Sequence, residues 1–250
     1  MPKPLLYRIY NEDCFNTFER IKPGSVDLVL VDPPYGTTAN KWDSIIPLAP
    51  LWDCLKLICK KDAPIIFLAG QPFTSTLIIS NLKNFRYCWV WNKVNRITGF
   101  LDAKKRPMRV TEDIVVFYDK QPSYNPQMSE GQPYTAISKG RKSNNYGKQA
   151  DGIKTVSDGK RYPLNLLDIK ADERGSVGRL HPTQKPLALM EYLIKTYSNP
   201  GDTVLDFAMG SGTTGVAAIS LGRKFIGCDS DKEHGYFQIA KERIVKASKG

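Results

Sequence analysis

The stretch Val204–Gly215, which reads VLDFAMGSGTTG, decides the fold predicted for this chain. Its apolar beginning predicts a buried strand, and from Gly210 onward glycine recurs with G-x-G-x-x-G spacing. Glycine allows a tight turn and a close approach of a ligand to the main chain, and the helix predicted over Thr213–Leu221 directs free N–H groups at that ligand. A further predicted strand, Lys224–Cys228, leads to Asp229, an acid placed to hold ribose hydroxyls. The stretch therefore predicts a nucleotide-type cofactor site.

Asp206 indicates which cofactor the turn would hold. Its carboxylate ends the first strand where a dinucleotide would place its pyrophosphate, so it would repel NAD or FAD. A cofactor with a positive amino group or sulfonium suits it, and S-adenosylmethionine carries both. The alternative is that Asp206 only stabilises the turn.

Length and composition exclude several classes of protein. The 250 residues suffice for one large domain or one with an insertion. No apolar run approaches the roughly twenty residues of a membrane span. Residues Met1–Pro4 lack the apolar core of a signal peptide, so we expect a cytoplasmic protein. Five cysteines without a C-x-x-C pair and only two histidines predict no metal site.

The net charge of +11 indicates a polyanionic partner, most simply nucleic acid. Basic residues are concentrated in two segments, and the second also contains tyrosines. Such side chains suit phosphates and unstacked bases, whereas a solvated loop is the alternative. The candidates for contact with DNA are Lys93, Arg96, Lys104, Lys105, Arg106, Arg109, Arg141, Lys142, Arg161 and Tyr162.

Strands and helices alternate through most of the chain, which predicts an α/β protein with a doubly wound sheet. Between Asp119 and Leu180 the composition changes to Pro, Gly, Ser, Asn, Tyr and Lys without a lasting period. We therefore predict that residues 1–118 and 181–250 form the catalytic and cofactor-binding domain. Residues 119–180 would form an irregular insertion.

The segment Asp32–Tyr35, with the sequence DPPY, follows the nearly all-apolar predicted strand Val26–Val31. Two prolines prevent further ladder pairing and stiffen the loop. The carboxyl ends of strands are where open α/β sheets bind ligands. Asp32 and Tyr35 are thus predicted to be held rigidly at the ligand-binding edge.

Three motifs together resemble the signatures of amino-methylating DNA methyltransferases: DPPY from Asp32, HPTQKP from His181 and DFAMGSGTTG from Asp206. Their circularly permuted order, with the catalytic tetrapeptide first, resembles the β group of that family. The resemblance covers the chain outside roughly residues 121–158. It implies a Rossmann-like, seven-stranded, mostly parallel sheet of order 3-2-1-4-5-7-6, with a target-recognition insertion. It also implies S-adenosyl-L-methionine as cofactor and double-stranded DNA as substrate.

The chemistry of an exocyclic amine explains the catalytic loop. Its nitrogen is a poor nucleophile because the lone pair is delocalised into the base. The Asp32 carboxylate and the Pro33 carbonyl would accept hydrogen bonds from the two N–H groups of the amine. The lone pair of the nitrogen would then point at the methyl group. Tyr35 would stack on a base flipped out of the duplex. The predicted catalytic residues are Asp32, Pro33, Pro34 and Tyr35.

The resemblance also implies contacts to the cofactor. Asp13 would bind the adenine amino group, Asp229 the ribose and Lys185 the carboxylate. The predicted cofactor-binding set is Asp13, Cys14, Asp32, Lys185, Asp206, Phe207, Gly210, Ser211, Gly212, Thr213, Thr214 and Asp229.

Several alternatives stay open. Asp at position 32 favours methylation of adenine N6, whereas enzymes that methylate cytosine N4 more often carry Ser there. Protein-glutamine methylases tend to carry Asn there and to lack HPTQKP. A non-catalytic nucleic-acid-binding protein is disfavoured by the intact Asp32, Tyr35 and glycine turn, and a dehydrogenase by Asp206. A restriction endonuclease partner and a homodimer are compatible with the family, and the sequence determines neither.

Overall fold

The computed structural model describes residues 6–37, 43–139, 142–143, 145, 147–148, 151–172, 184–230 and 235–249. It contains two compact units, Met1–Asn125 with Asn165–Gly250, and Pro126–Leu164. The second unit is shorter at both ends than the predicted insertion of residues 119–180. Asn125 belongs to the large unit, where its amide donates to the Thr196 carbonyl at 2.8 Å. Residues that follow Leu164 join the central sheet of the large unit.

The described residues form fourteen strands, nine of which have four or more residues. Their bounds are β1 (Tyr7–Tyr10), β2 (Leu28–Val31), β3 (Ile65–Ala69), β4 (Phe85–Asn92), β5 (Thr111–Phe117), β6 (Ser129–Glu130), β7 (Tyr134–Ile137), β8 (Lys142–Ser143), β9 (Gly147–Lys148), β10 (Lys154–Ser157), β11 (Lys160–Arg161), β12 (Leu166–Asp168), β13 (Thr203–Asp206) and β14 (Lys224–Cys228). One of them, β2, is buried at every residue.

The central sheet of the large unit has the order β1-β14-β13-β2-β3-β5-β4-β12. Strand β5 runs antiparallel to both of its neighbours, and the other pairs are parallel. If β13 is counted as strand 1, the first seven strands follow the predicted order 3-2-1-4-5-7-6. The predicted α/β fold with a mostly parallel, Rossmann-like sheet is confirmed.

The sheet has eight strands, one more than predicted. The additional strand, β12, pairs in parallel with Val90–Asn92 of β4, and its Leu167 enters the core. Next to it, Trp91 Nε1 donates to the Ile169 carbonyl at 2.8 Å. Strand β12 is only three residues long and lies in a segment of irregular composition, so the sequence pattern does not predict it.

Six α-helices and one short 3₁₀ helix, Phe100–Asp102, accompany the strands among the described residues. The α-helices are α1 (Cys14–Glu19), α2 (Leu48–Ile58), α3 (Phe73–Ser80), α4 (Leu187–Tyr197), α5 (Thr213–Ser220) and α6 (Tyr236–Ala247).

Helices cover both faces of the sheet, as a doubly wound fold requires. Successive strand residues point to opposite faces. In β2, Leu28 and Leu30 accordingly pack in one buried cluster with α4, α5 and α6. Val29 and Val31 pack in the other cluster, with α1, α2 and α3. A strand that is buried on both faces is apolar at every position, which explains why β2 reads LVLV.

The small unit, Pro126–Leu164, contains three two-stranded antiparallel ribbons: β7 with β10, β6 with β11, and β8 with β9. All four residues of β7 are exposed. No helix within the described part of the chain is long and apolar enough to cross a membrane.

Candidate active site at the carboxyl edge of the sheet

A cleft of about 670 Å³ lies at the carboxyl ends of β1, β14, β13 and β2 in the large unit. These strands are parallel neighbours, so the residues that follow them meet at one edge. The cleft brings together all predicted catalytic and cofactor-binding residues except Gly212. The residues that line it are Asp13, Cys14, Asp32, Pro33, Pro34, Tyr35, Lys185, Asp206, Phe207, Gly210, Ser211, Thr213, Thr214 and Asp229.

Gly212 belongs to the turn but lies on its side that faces α6. Its φ of 77° is left-handed, and it caps the N-terminus of α5. A Cβ at this position would stand 2.9 Å from the Ala240 Cβ. At Gly215 a Cβ would lie 2.7 Å from Phe225 ring carbon Cε1. The second and third glycines of the motif therefore allow α5 to pack closely on α6 and β14.

Two carboxylates flank the turn. Asp229 Oδ2 accepts a 2.8 Å hydrogen bond from the Gly210 amide, which ties the end of β14 to the turn. Asp206 is 3% exposed, and its Oδ1 accepts from the Ala208 amide at 3.1 Å. Burial raises the pKa of Asp206 to about 7, although hydrogen bonds from Thr214 and Ala208 oppose the shift. A cationic ligand group would favour the charged form of Asp206. This buried carboxylate therefore suits a sulfonium or an ammonium group.

At the end of β1, Asp13 caps helix α1, and its Oδ1 accepts from the Phe15 amide at 2.9 Å. The next residue, Cys14, is buried, and burial raises the pKa of its thiol to about 12. The thiol is therefore protonated at neutral pH and is no nucleophile. Among the described residues, no group of His, Cys, Asp or Glu side chains is arranged to hold a metal ion.

The DPPY loop is held by Asp43, a residue that the sequence analysis missed. Asp43 is buried, and its carboxylate accepts from the amides of Tyr35, Gly36 and Thr37 at 2.8, 2.8 and 2.9 Å. Phe73 stacks on the Tyr35 ring, with centroids 5.4 Å apart and an interplanar angle of 17°. No motif in the sequence links Asp43 to this loop, because the carboxylate lies six to eight residues after the amides that it accepts from.

Asp32 stands at one end of a chain of alternating charges in which the two lysines are buried and the two carboxylates half-buried. Tyr35 Oη donates to its Oδ1 at 2.6 Å, and Lys185 Nζ donates to its Oδ2. Lys185 Nζ also stands 3.5 Å from Glu112 Oε2, and Lys93 Nζ is 2.7 Å from Glu112 Oε1. The chain thus runs from Asp32 through Lys185 and Glu112 to Lys93.

The charges shift one another's pKa. Burial raises the pKa of Asp32, although Lys185 opposes the shift. Burial acts against the charge of Glu112 too, but Lys185 and Lys93 lower its pKa overall. Burial would lower the pKa of Lys185, whereas Asp32 and Glu112 raise it overall. Lys185 and Glu112 are consequently charged at neutral pH.

Two lysines are placed differently from the sequence-based expectation. Lys93, predicted to contact DNA, is 5% exposed and paired with Glu112, so its ammonium is not presented to a phosphate. Lys185, predicted to bind the cofactor carboxylate, lines the cleft but pairs with Asp32. Its contact with the cofactor stays a prediction.

The other candidates for DNA contact have varied environments. Lys104, Lys105 and Arg106 are exposed, and Arg106 pairs with Asp102. Arg109 Nη1 donates to the Gln71 carbonyl at 3.3 Å, which ties the end of this basic loop to the body of the large unit. Arg96 lines the cleft.

In the small unit, the Arg161 guanidinium lies 4.8 Å from the Tyr134 ring centroid, and its Nη1 donates to Ser157 Oγ at 2.7 Å. Tyr162 is 74% exposed. The backbone of Lys142 belongs to β8. Arg141 and His181 lie outside the described residues.

The sheet order, the glycine turn between two acids and the DPPY loop on one cleft define the class of Rossmann-like methyltransferases. A model of the N6/N4 methyltransferase family, described as DNA methylase, matches residues 26–242. The chain therefore belongs to the N6/N4 DNA methylase family, and it is a site-specific DNA methyltransferase. Enzymes of this family take their methyl group from S-adenosyl-L-methionine.

Two relatives are similar along nearly their whole length. Type II methyltransferase M1.MboII of Moraxella bovis is 28% identical over 246 residues, which cover 91% of this chain and 93% of that protein. Type II methyltransferase M2.LlaDCHI of Lactococcus lactis subsp. cremoris is 29% identical over 250 residues, covering 96% and 90%.

Solved structures share the fold. The M1.HpyAVI–SAM complex superposes with a TM-score of 0.62 at 24% identity, covering 95% of this chain and 98% of that one. The cytosine-N4-specific PvuII DNA methyltransferase gives a TM-score of 0.66 at 16% identity, covering 97% and 91%.

Proposed function

We propose that this enzyme transfers a methyl group from S-adenosyl-L-methionine to N6 of adenine in double-stranded DNA. The observation that carries the proposal is the position of the Asp32 carboxylate in the DPPY loop, on the same cleft as the glycine turn. A carboxylate there can accept an N–H of an exocyclic amine and face a methyl donor bound at the turn.

The cofactor would supply an electrophilic methyl group on a sulfonium. Asp206 would face its positive charge, Asp229 would accept from the ribose hydroxyls, and Asp13 would accept from the adenine amino group. These three carboxylates line the cleft beside Phe207, whose ring supplies apolar surface. The proposal thus gives the sulfonium, the ribose and the adenine of the cofactor a group of matching chemistry.

The loop would activate the target amine by position and charge. The Asp32 carboxylate and the Pro33 carbonyl would each accept one N–H, so that the nitrogen becomes tetrahedral and its lone pair points at the methyl carbon. The N–C bond would form as the C–S bond of the methyl donor breaks, with the electron pair of that bond left on sulfur. The nitrogen then gives up one proton, for which Asp32 is the adjacent acceptor. Tyr35 would stack on the flipped base.

The basic loop between β4 and β5 supports contact with DNA. Its tip carries the exposed Lys104, Lys105 and Arg106, and the large apolar side chains Phe100 and Leu101 are 66% and 87% exposed there. Cations would bind phosphates, and apolar side chains at such a tip suit contact with bases or sugars. We assign recognition of the target sequence to the small unit Pro126–Leu164, whose exposed residues include Tyr162.

Methylation of cytosine N4 is the second candidate, because the PvuII enzyme that shares the fold is cytosine-N4-specific. The exocyclic amine of cytosine has the same delocalised lone pair as that of adenine. The same loop could therefore activate it.

The relatives support a role in restriction–modification, since both are type II methyltransferases. The proposal therefore includes an endonuclease that cuts the same site and places the enzyme in the cytoplasm with its DNA. The proposal leaves the oligomeric state open. Light scattering of the purified protein, which measures its molar mass in solution, distinguishes a monomer from a homodimer.

Sequencing of DNA from cells that express the protein, with a method sensitive to modified bases, tests the proposal. We expect one short sequence to carry N6-methyladenine throughout the DNA. Unmodified DNA from cells with confirmed expression of folded protein would refute it.

A further inference from the structure

Both oxygens of the Asp32 carboxylate already have donors. Tyr35 Oη occupies Oδ1 at 2.6 Å, and Lys185 Nζ occupies Oδ2. Each oxygen keeps a second lone pair, but a directly bonded ammonium weakens the carboxylate as an acceptor for the amine and for its proton. Asp32 therefore activates the amine of a target base best when one of the two donors withdraws. The environment of each donor shows which one moves.

Tyr35 is held in place on two sides. Its amide donates to the buried Asp43 at 2.8 Å, and Phe73 stacks on its ring. Lys185 reaches Asp32 through a flexible side chain, and its ammonium already stands 3.5 Å from a second carboxylate, that of Glu112. Lys185 can therefore leave Asp32 without moving the backbone.

One carboxylate oxygen of Glu112 accepts no hydrogen bond. Its Oε1 pairs with Lys93 Nζ at 2.7 Å. Its Oε2 is buried from solvent and accepts no hydrogen bond. A ligand in the cleft cannot reach this buried atom, whereas Lys185 Nζ needs to approach by less than an ångström to reach hydrogen-bond distance.

We infer that Lys185 moves from Asp32 Oδ2 to Glu112 Oε2 when the target amine enters, and that Glu112 is the positioning residue that receives it. The inference rests on the proposed role of Asp32. It gives a role to Glu112 and Lys93, which pair with each other and line the same cleft as Asp32.

Charge balance supports the transfer. The two carboxylates and two lysines of the cluster carry no net charge together, and the movement of Lys185 keeps every ammonium paired. Asp32 loses the Lys185 ammonium and accepts a hydrogen bond from the amine in its place. The nitrogen of that amine becomes positive during methyl transfer. Without the Glu112 charge, a displaced Lys185 would be a buried cation with no partner, which is costly. Lys185 would then stay on Asp32 and compete with the amine.

The first test compares Glu112→Gln, which keeps the shape and removes the charge, with Asp113→Asn as a matched control. Asp113 is the next residue of β5, and it accepts from Thr74 Oγ1 at 2.8 Å outside the cluster. We expect Glu112→Gln to lower the single-turnover rate of methyl transfer about 10- to 100-fold, with cofactor Kd within about twofold. Glu112→Asp should recover part of the loss, and Asp113→Asn should react like wild type. A wild-type rate for Glu112→Gln would overturn the inference.

The second test measures DNA binding and needs no turnover. Two duplexes carry the methylated sequence, one with adenine at the target and one with purine, which lacks the 6-amino group. Only the amine requires Lys185 to move, so Glu112→Gln should weaken binding of the adenine duplex relative to the purine duplex by about tenfold. An unchanged ratio of the two Kd values would show that Glu112 only supports the fold. If wild-type enzyme methylates neither adenine nor cytosine, the proposed function fails, whatever this ratio is.

Discussion

At the scale of single residues, the proposed function depends on carboxylates whose charge is controlled by burial and by neighbouring charges. Asp32, Asp206 and Glu112 all line the cleft, yet their pKa values move in different directions. Glu112 is flanked by two lysines and stays ionised. At Asp206 desolvation dominates, the nearby carboxylates Asp32 and Asp229 add to it, and the pKa rises to about 7.

The raised pKa of Asp206 predicts a pH-dependent affinity for the cofactor. In the free protein, protonated Asp206 contributes stability below pH 4, and this contribution is lost as the pH rises through about 7. A cationic cofactor binds the ionised form, so its binding must release the proton below pH 7. We expect Kd, measured by titration calorimetry, to fall between pH 6 and 8 and then level off.

The control for this prediction is Asp206→Asn, which should bind more weakly and lose the pH dependence between pH 6 and 8. If wild type and the variant share the same flat profile, Asp206 does not face the cationic part of the cofactor.

At the scale of elements, the glycine turn shows how the packing of helices depends on residues without a side chain. Gly212 and Gly235 both precede helices with a left-handed φ, 77° and 72°. A Cβ at Gly212 would meet Ala240 at 2.9 Å, whereas nothing lies within 4 Å at Gly235. The two positions therefore share the backbone strain and differ in crowding.

We predict that Gly212→Ala lowers the free energy of unfolding by about 1–3 kcal/mol more than Gly235→Ala does, since only the former forces α5 away from α6. Urea denaturation of both variants measures the difference. Equal losses would mean that the helices adjust around the extra methyl group.

The basic loop between β4 and β5 is the second element with a testable role. Reversal of Lys104, Lys105 and Arg106 to Glu should weaken binding of all DNA sequences alike and reduce the salt dependence of log Kd by about one unit of slope for each lost phosphate contact. Fluorescence anisotropy at several salt concentrations measures both quantities.

The matched control reverses Lys241, Lys246 and Lys249, which lie in α6 or directly after it and change the net charge equally. These residues lie outside the cleft edge that holds Asp32, so this variant should keep the wild-type salt slope. If both triple variants lose the same slope, the loop acts only through net charge.

At the scale of the whole molecule, the chain separates a compact catalytic unit from Pro126–Leu164. The hydrogen bonds of Asn125 and the pairing of β12 belong to the large unit, so a deletion should preserve them. We predict that replacement of residues 126–164 by a short Gly-Ser linker leaves a folded protein that still binds S-adenosyl-L-methionine. Methylation of the specific sequence should be lost, as measured by modified-base sequencing. A protein that no longer folds would place this segment in the core.

Contiguous motifs explain why much of the fold and site could be predicted from sequence. The β13–turn–α5–β14 unit and the DPPY loop are each specified by neighbouring residues, so glycine spacing and apolar runs reveal them. The contacts of Glu112 and Asp43 were missed because their partners are separated from them in sequence and no motif connects them. Lys93 stands in a basic run, and only the folded structure shows that its charge is turned inward toward Glu112. Strand β12 is too short to show a period.

The central claim is that the cleft methylates adenine N6 through Asp32. The most direct measurement is nucleoside analysis by mass spectrometry of DNA treated with purified enzyme and S-adenosyl-L-methionine, in parallel with Asp32→Ala. The account predicts N6-methyladenine from wild type and at least about a hundredfold slower formation by Asp32→Ala, whose cofactor Kd is unchanged. N4-methylcytosine as the product, or near-normal turnover by Asp32→Ala, would contradict it.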